Sequence, residues 1–501
     1  MKRCFSILIF FFLICINADN ILSSSYITIP FKTENLSDDF ITSKYDINLH
    51  TYMEIGQPKQ KIKIYFRDEL FSFFIINKDT TYEDQIKEPK IQNVNINKNI
   101  YNLYDNELSS TYRNISKYQN FFIDIYYRKG FLSTETFYFN QNNNKLNRFD
   151  DIDFVLANKI KTNRTLISGS IGLLVDEYFL EGAQSFARML VKKNVISFCL
   201  WSKVYLNDNS GMFLFGDFPH VLHNDKYYKE QYVETDIKLN PYKQKWNLDF
   251  NEIFFKIKNN EYLDDNNNNN DIYNYYYLNI TLYGELKHNL GLIIGTVEYQ
   301  NLIEEKYFNI YIKKNICFKK KILINDFNEE KINYTYYYCP NDKLFDKNNF
   351  PTLYLRQRDL KYIFELNNDD LFILHNNIWY FMIIFEGEEI SNPIHKWMFG
   401  EPLLKKYQFI FDPINYKIGF YNPEISIFNK IKNKDNEKDE YQNFQQIGFY
   451  ILIVIIVLAI LFLLCYLFIK RCFINKNDSQ PYIELKNLPI DKYRGYSNKN
   501  L

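Results

Sequence analysis

The chain lacks most of the signals that announce a chemistry. Its 60 Lys and Arg are balanced by 60 Asp and Glu. It therefore has no bulk positive field for nucleic acid, and no nucleic-acid partner is expected. The six His are scattered; His220 and His223 are neighbours, but no Cys or carboxylate at ligand spacing joins them, so neither a metal nor any other cofactor is expected. There is no Gly-x-Ser-x-Gly elbow and no phosphate loop, which removes the common serine-hydrolase and nucleotide-binding readings. Glycine is scarce, at 15 residues, whereas Tyr (43) and Phe (45) are abundant. Codon bias explains such a composition as readily as function does, so it is given no functional weight.

Cysteine is sparse as well. Of seven, Cys4 and Cys15 fall in an N-terminal apolar run, and Cys465 and Cys472 in or beside a C-terminal one. Only Cys199, Cys317 and Cys339 remain for an oxidising compartment. Cys317 and Cys339 are close in sequence and are expected to pair, leaving Cys199 outside unless it takes one of them.

Both ends carry targeting patterns. Met1-Lys2-Arg3, a short apolar run and Ala18 read as a secretory signal peptide over 1–18, too short for a membrane span. Residues 447–469, "IGFYILIVIIVLAILFLLCYLFI", carry no charge and are long enough to cross a bilayer. Lys470-Arg471 follow at once, placing the tail, 470–501, in the cytoplasm. The expectation is a single-pass type I membrane protein of the secretory pathway with a luminal or extracellular ectodomain. Asn35, Asn114, Asn163, Asn279 and Asn333 head Asn-x-Ser/Thr triplets on that side. In the tail, Tyr482 to Leu485 ("YIEL") resembles a tyrosine-based sorting signal read by vesicle adaptors.

Between the ends the pattern is β-rich, with short apolar and aromatic runs broken by Asn, Asp, Lys and Gly turns. "FFIDIYYRKGFLSTETFYF" reads as a hairpin turning near Arg128-Lys129-Gly130, and "KVYLNDNSGMFLFGDF" as another turning at Asn209-Ser210-Gly211. Residues 183–196 read as one amphipathic helix. Residues 425–446 are polar and read as a stalk.

Four segments in order then resemble the pepsin-like aspartic proteases, including the plasmepsins. "YMEIGQPKQKIKIYF" is similar to the family's first hairpin, and "SGSIGLL" to the strand crossing under its first active-site loop. "ISFCLWSKVYLNDNSGMFLFGDFP" is similar to the close of its first lobe, and "WMFGEPLLKKYQFIFDPINYKIGFYNP" to its C-terminal ending. The resemblance implies a mainly β, bilobal fold with a pseudo-twofold and an interlobe cleft. It divides the chain into a lead or pro-like segment at 19–45, an N-terminal lobe at 46–235 and a C-terminal lobe at 236–424.

It also implies two Asp-Thr-Gly triplets, yet no Asp-Thr-Gly or Asp-Ser-Gly occurs. Eleven residues beyond Gly56, the first triplet position reads Arg67-Asp68-Glu69; the second is read as Gly295-Thr296-Val297, after an apolar pair. The family's hydrolysis needs two carboxylates sharing one proton, and neither Arg67 nor Gly295 can supply one. Three expectations follow. Asp68 and Thr296 form a modified interlobe grip, Arg67 pairs with Glu69 or Glu298, and Tyr126 or Tyr127 is the nearest flap tyrosine. The expected function is an aspartic protease homologue that binds a peptide or protein without cutting it. The alternatives are an active endopeptidase using Asp68 and Glu298, and a structural protein whose cleft is filled by its own side chains.

Overall fold

A computed structural model describes residues 25–422, apart from 35–36, 69–72, 83–102, 116–118, 124–125, 142–144, 161–167, 175–184, 238–244, 259–272, 279–281, 326–330, 343, 361 and 388–395. Contacts group residues 1–425 as one unit and 426–501 as another. The expected signal peptide, stalk, membrane segment and tail signal Tyr482–Leu485, with Glu69 and the triplets at Asn35, Asn163 and Asn279, lie outside the described residues. Among the described residues, no helix is long and apolar enough to cross a membrane.

Period-two alternation builds the first elements. Strand β1 spans Ile27–Glu34 and is followed by helix α1, Phe40–Tyr45, capped by the Asp39 side chain on Thr42 N–H. β2 (Asn48–Ile55) buries Leu49, Thr51, Met53 and Ile55, and β3 (Gln60–Arg67) buries Ile62, Ile64 and Phe66. The turn between them starts at Gly56, whose φ of +82° suits a residue without Cβ. β4 is Phe73–Tyr82, β5 Gln119–Ile123, β6 Tyr126–Gln141, β7 Lys145–Ile160 and β8 Gly169–Gly172. A helix is present where the amphipathic pattern placed one, as α2, Phe186–Lys192. β9 (Trp201–Asn207) and β10 (Ser210–Phe215) form the expected second hairpin, with Asn207 paired to Ser210.

The other hairpin turns elsewhere than expected. β6 runs straight through Arg128, Lys129 and Gly130, and Ile123 pairs with Tyr126, so the chain reverses earlier. Gly130 marks a bulge rather than a turn. The register against β7 shifts there, and a Cβ on Gly130 would stand 2.4 Å from the Leu156 carbonyl oxygen.

The second half repeats the plan. β11 is Asn247–Lys258, β12 Leu282–Leu286, β13 Ile293–Gly295, β14 Lys331–Pro340, β15 Ile383–Glu386 and β16 Lys396–Phe399. Helices α3 (Val297–Ile303) and α4 (Glu401–Lys406) follow β13 and β16. The final strands, β17 (Ile410–Asp412) and β18 (Lys417–Tyr421), return to the first sheet. Among the described residues that sheet has 14 strands, ordered through β18-β17-β9-β10-β1-β2-β3-β8-β4-β7-β6, and the second has 12, ordered through β11-β12-β16-β13-β15-β14. Aromatic rings fill the space where the two meet: Trp201 stacks on Phe411 at 4.4 Å, and Trp246 packs edge-on against Trp201 at 5.9 Å.

Residues 27–45, read from sequence as a lead or pro-like segment, are built into this structure. β1 lies between β10 and β2, and Ile41 and Tyr45 of α1 are buried. Asn114 and Asn333 are both exposed, on strands.

Cys317 and Cys339 form a disulfide, and Cys199 is buried outside it. The bridge closes a loop with a sequence separation of 22. Replacing both cysteines by Ser should therefore lower unfolding free energy by about 3 kcal/mol. Guanidinium denaturation of the two proteins measures this.

Candidate active site

One topological feature occurs twice and fixes the site. β8 lies between β3, to which it is parallel, and β4, to which it is antiparallel; Ile171 pairs with both Phe66 and Phe73. β16 lies in the same way between parallel β12 and antiparallel β13; Phe399 pairs with both Leu286 and Ile293. The two loops bridging these pairs are equally long. The residue after Phe66 is Arg67, and the residue after Leu286 is Lys287. The second-sheet counterpart of Arg67 is thus Lys287, followed by His288 and Asn289.

This moves the second triplet. The sequence reading took Ile293-Ile294 as the strand delivering it, which put Gly295-Thr296-Val297 in the site. Ile293–Gly295 is instead the strand leaving the loop. Gly295 sits where a Cβ would meet Ile383, Phe385 and Trp397 at 3.0 to 3.3 Å. Thr296 is the N-cap residue of α3, and Glu298 lies in that helix's first turn.

Arg67 is only 11% exposed in its side chain, so its charge needs partners. Its Nη1 lies 3.3 Å from Asp46 Oδ1, and its Nη2 donates to Asn48 Oδ1 at 2.7 Å. Asp46 closes the C-terminus of α1. The sequence pointed to Glu69 or Glu298, of which Glu69 lies outside the described residues; Asp46, which directly follows α1, was not among the candidates. Lys287 is paired too, at 3.0 Å from Glu285, a buried carboxylate that also receives Lys245 and Lys396.

Asp68 is hydrogen-bonded to Asn289 of the second loop rather than to Thr296. Its Oδ2 accepts from the Asn289 N–H at 2.7 Å. The Asn289 amide donates to the carbonyls of Ile47 and Phe66, both at 2.9 Å, and the Ile47 N–H donates to the Asn289 carbonyl at 2.7 Å. An asparagine in an Asn-rich chain gives no signal by itself. The signal was its distance from the strand leaving the loop, which starts four residues later at Ile293.

Beneath the loops a second charge pair is sealed in. Lys203, on β9, is 2% exposed; its Nζ donates to the His288 carbonyl at 3.1 Å and lies 3.5 Å from Glu401 Oε1, at the start of α4. Burial pushes the Lys203 ammonium down to about 8, against the pull of Glu401 and Asp68. His288 is buried against Trp201 and Phe411. Burial, with Lys203 and Lys287 adding, holds its imidazole well below the usual range, so it is neutral.

A small pocket opens at this junction, lined by Tyr45, Asp68, Lys287, Asn289, Leu290, Ile294 and Met398. Its cavity is about 10 Å³, room for one water. Tyr45 of α1 forms part of its wall. Tyr126 and Tyr127 open β6, paired with Ile123 and Phe122.

The Lys203–Glu401 pair is tested by substitution. Lys203→Met alone leaves a buried carboxylate and should cost about 3–5 kcal/mol, whereas Lys203→Met with Glu401→Leu should fold at least as well as wild type to within about 1 kcal/mol. Between pH 8 and 10.5 the unfolded lysine binds more protons than the folded one. The penalty it imposes is therefore full below pH 8 and is relieved as pH rises. Urea denaturation across that window should show wild type gaining on the double variant.

Residues 49–270 match the model of the eukaryotic aspartyl protease family. No curated protein matches the chain. The matched stretch includes the first crossing, with β3, β4 and β8, and ends before the second. In its mainly β structure and its strand crossing, the stretch 49–270 is similar to the pepsin-like eukaryotic aspartyl proteases.

Proposed function

We propose that this protein is a membrane-anchored pepsin-like pseudoprotease of the secretory pathway, whose cleft holds a peptide or protein ligand without hydrolysing it. One observation carries the reading: the two equivalent loop positions hold Arg67 and Lys287, each already matched to a carboxylate of the same chain. A shared-proton carboxylate pair cannot be assembled from an arginine and a lysine. Asp68, the acid that follows Arg67 in the chain, accepts from the Asn289 N–H. The membrane segment 447–469 would tether the domain, and Tyr482–Leu485 would offer the tail to vesicle adaptors.

A second reading, a cleft filled from within, is favoured by Tyr45 lining the site pocket. The two readings are compatible if a ligand competes with the N-terminal segment.

The test is a peptide library incubated with the purified ectodomain, residues 19–446, from about pH 4 to 7.5, the span in which carboxylate chemistry operates. Mass spectrometry should find no cut peptides. Cleavage that disappears in an Asp68→Ala, Glu298→Ala ectodomain would instead establish an active endopeptidase with displaced carboxylates.

A further inference from the structure

We propose that the face of the second sheet beside the site is a receptor for a short helix, whose ligand carries two apolar side chains one turn apart and then a carboxylate, and that α1 occupies it in cis. This rests on the reading of the cleft as a binding site and names its ligand class.

α1 has six residues, too few to be helical in water unaided, so the surface under it must hold its shape. Ile41 and Tyr45, four apart and hence on one side of the helix, are 1% and 5% exposed and pack with Leu290, Leu292 and Ile294. The Tyr45 hydroxyl meets the Tyr334 hydroxyl at 3.1 Å. Phe40 stacks on His375 at 4.6 Å and lies against Tyr380 at 4.5 Å. The main chain is read as well: Gly291 N–H donates to the Lys44 carbonyl at 2.7 Å, and Ile47 exchanges hydrogen bonds with Asn289. A Cβ on Gly291 would fall 2.5 Å from Ile47 Cδ1 and 3.1 Å from the Lys44 carbonyl oxygen. That position is therefore shaped for a chain lying directly upon it. Asp46 then reaches Arg67.

Side chains in apolar pockets, main-chain hydrogen bonds and one terminal charge pair are how a groove recognises a helical peptide. The carboxylate is the selective element, because a cation there would face Arg67. Tethered on both sides, α1 competes at a high effective concentration, so an outside ligand enters only when α1 is displaced.

The test uses a fluorescent peptide copying residues 37–47 and an ectodomain carrying Ile41→Ala and Tyr45→Ala, checked for its native circular dichroism. The loosened ectodomain should bind the peptide at least about tenfold more tightly than wild type does. Asp46→Lys in the peptide should weaken binding about tenfold, and Arg67→Glu in the ectodomain should reverse that preference. Gly291→Val added to the loosened ectodomain should abolish binding. A folded, loosened ectodomain that ignores the peptide, or binds the Asp46→Lys peptide equally well, overturns the site while leaving the question of hydrolysis untouched. Peptide bound with the expected preferences but then cut would uphold the site and overturn the pseudoprotease reading.

Discussion

Asn289 is the residue on which the rest of this structure leans. Its main chain and its amide together make four hydrogen bonds to the first half of the molecule: to Asp68, to Phe66 and twice to Ile47. Each lies in the buried seam between the sheets, where an unmade bond would cost the full desolvation of its polar group. Those bonds hold the two crossing loops together, and the loops set where Arg67, Lys287 and Tyr45 can stand. Trp246 adds a further donor to the first half, from its indole N–H to the Leu173 carbonyl at the end of β8.

Around that seam, cations are matched to carboxylates: Arg67 to Asp46, Lys287 with Lys245 and Lys396 to Glu285, Lys203 with Lys405 to Glu401. Carboxylates brought together without cations would raise one another's pKa and share a proton, which is the arrangement hydrolysis uses. Here each is balanced instead, so the same crossing loops make a fixed junction. The arginine that cannot give up a proton also explains how the N-terminal segment is held, since its partner Asp46 directly follows α1.

Much of this was legible beforehand. The β2–β3 hairpin, the β9–β10 hairpin and the Cys317–Cys339 bridge follow from local pattern and spacing, and the crossing strand "SGSIGLL" from the family resemblance. The misreadings share one cause. Ile293-Ile294 and Gly130 look locally like a delivering strand and a turn, but an apolar pair is the same whether a strand enters or leaves a loop. A glycine likewise serves a bulge as well as a turn. Only the partner strand, Phe399 in one case and Leu156–Ala157 in the other, decides between them.

What the sequence determined by itself was the chemistry that is missing. No Asp-Thr-Gly triplet exists in the chain, and alternation and turn residues are enough to specify the β-rich plan, because both depend on neighbours a few positions away. What the tertiary structure decided was pairing at a distance. It made Lys287 the counterpart of Arg67, Asn289 the partner of Asp68, Asp46 the counter-ion of Arg67, and α1 the cover of the site. These partners are separated by up to 221 residues, and they are selected by burial and strand register, quantities that no local stretch of sequence contains.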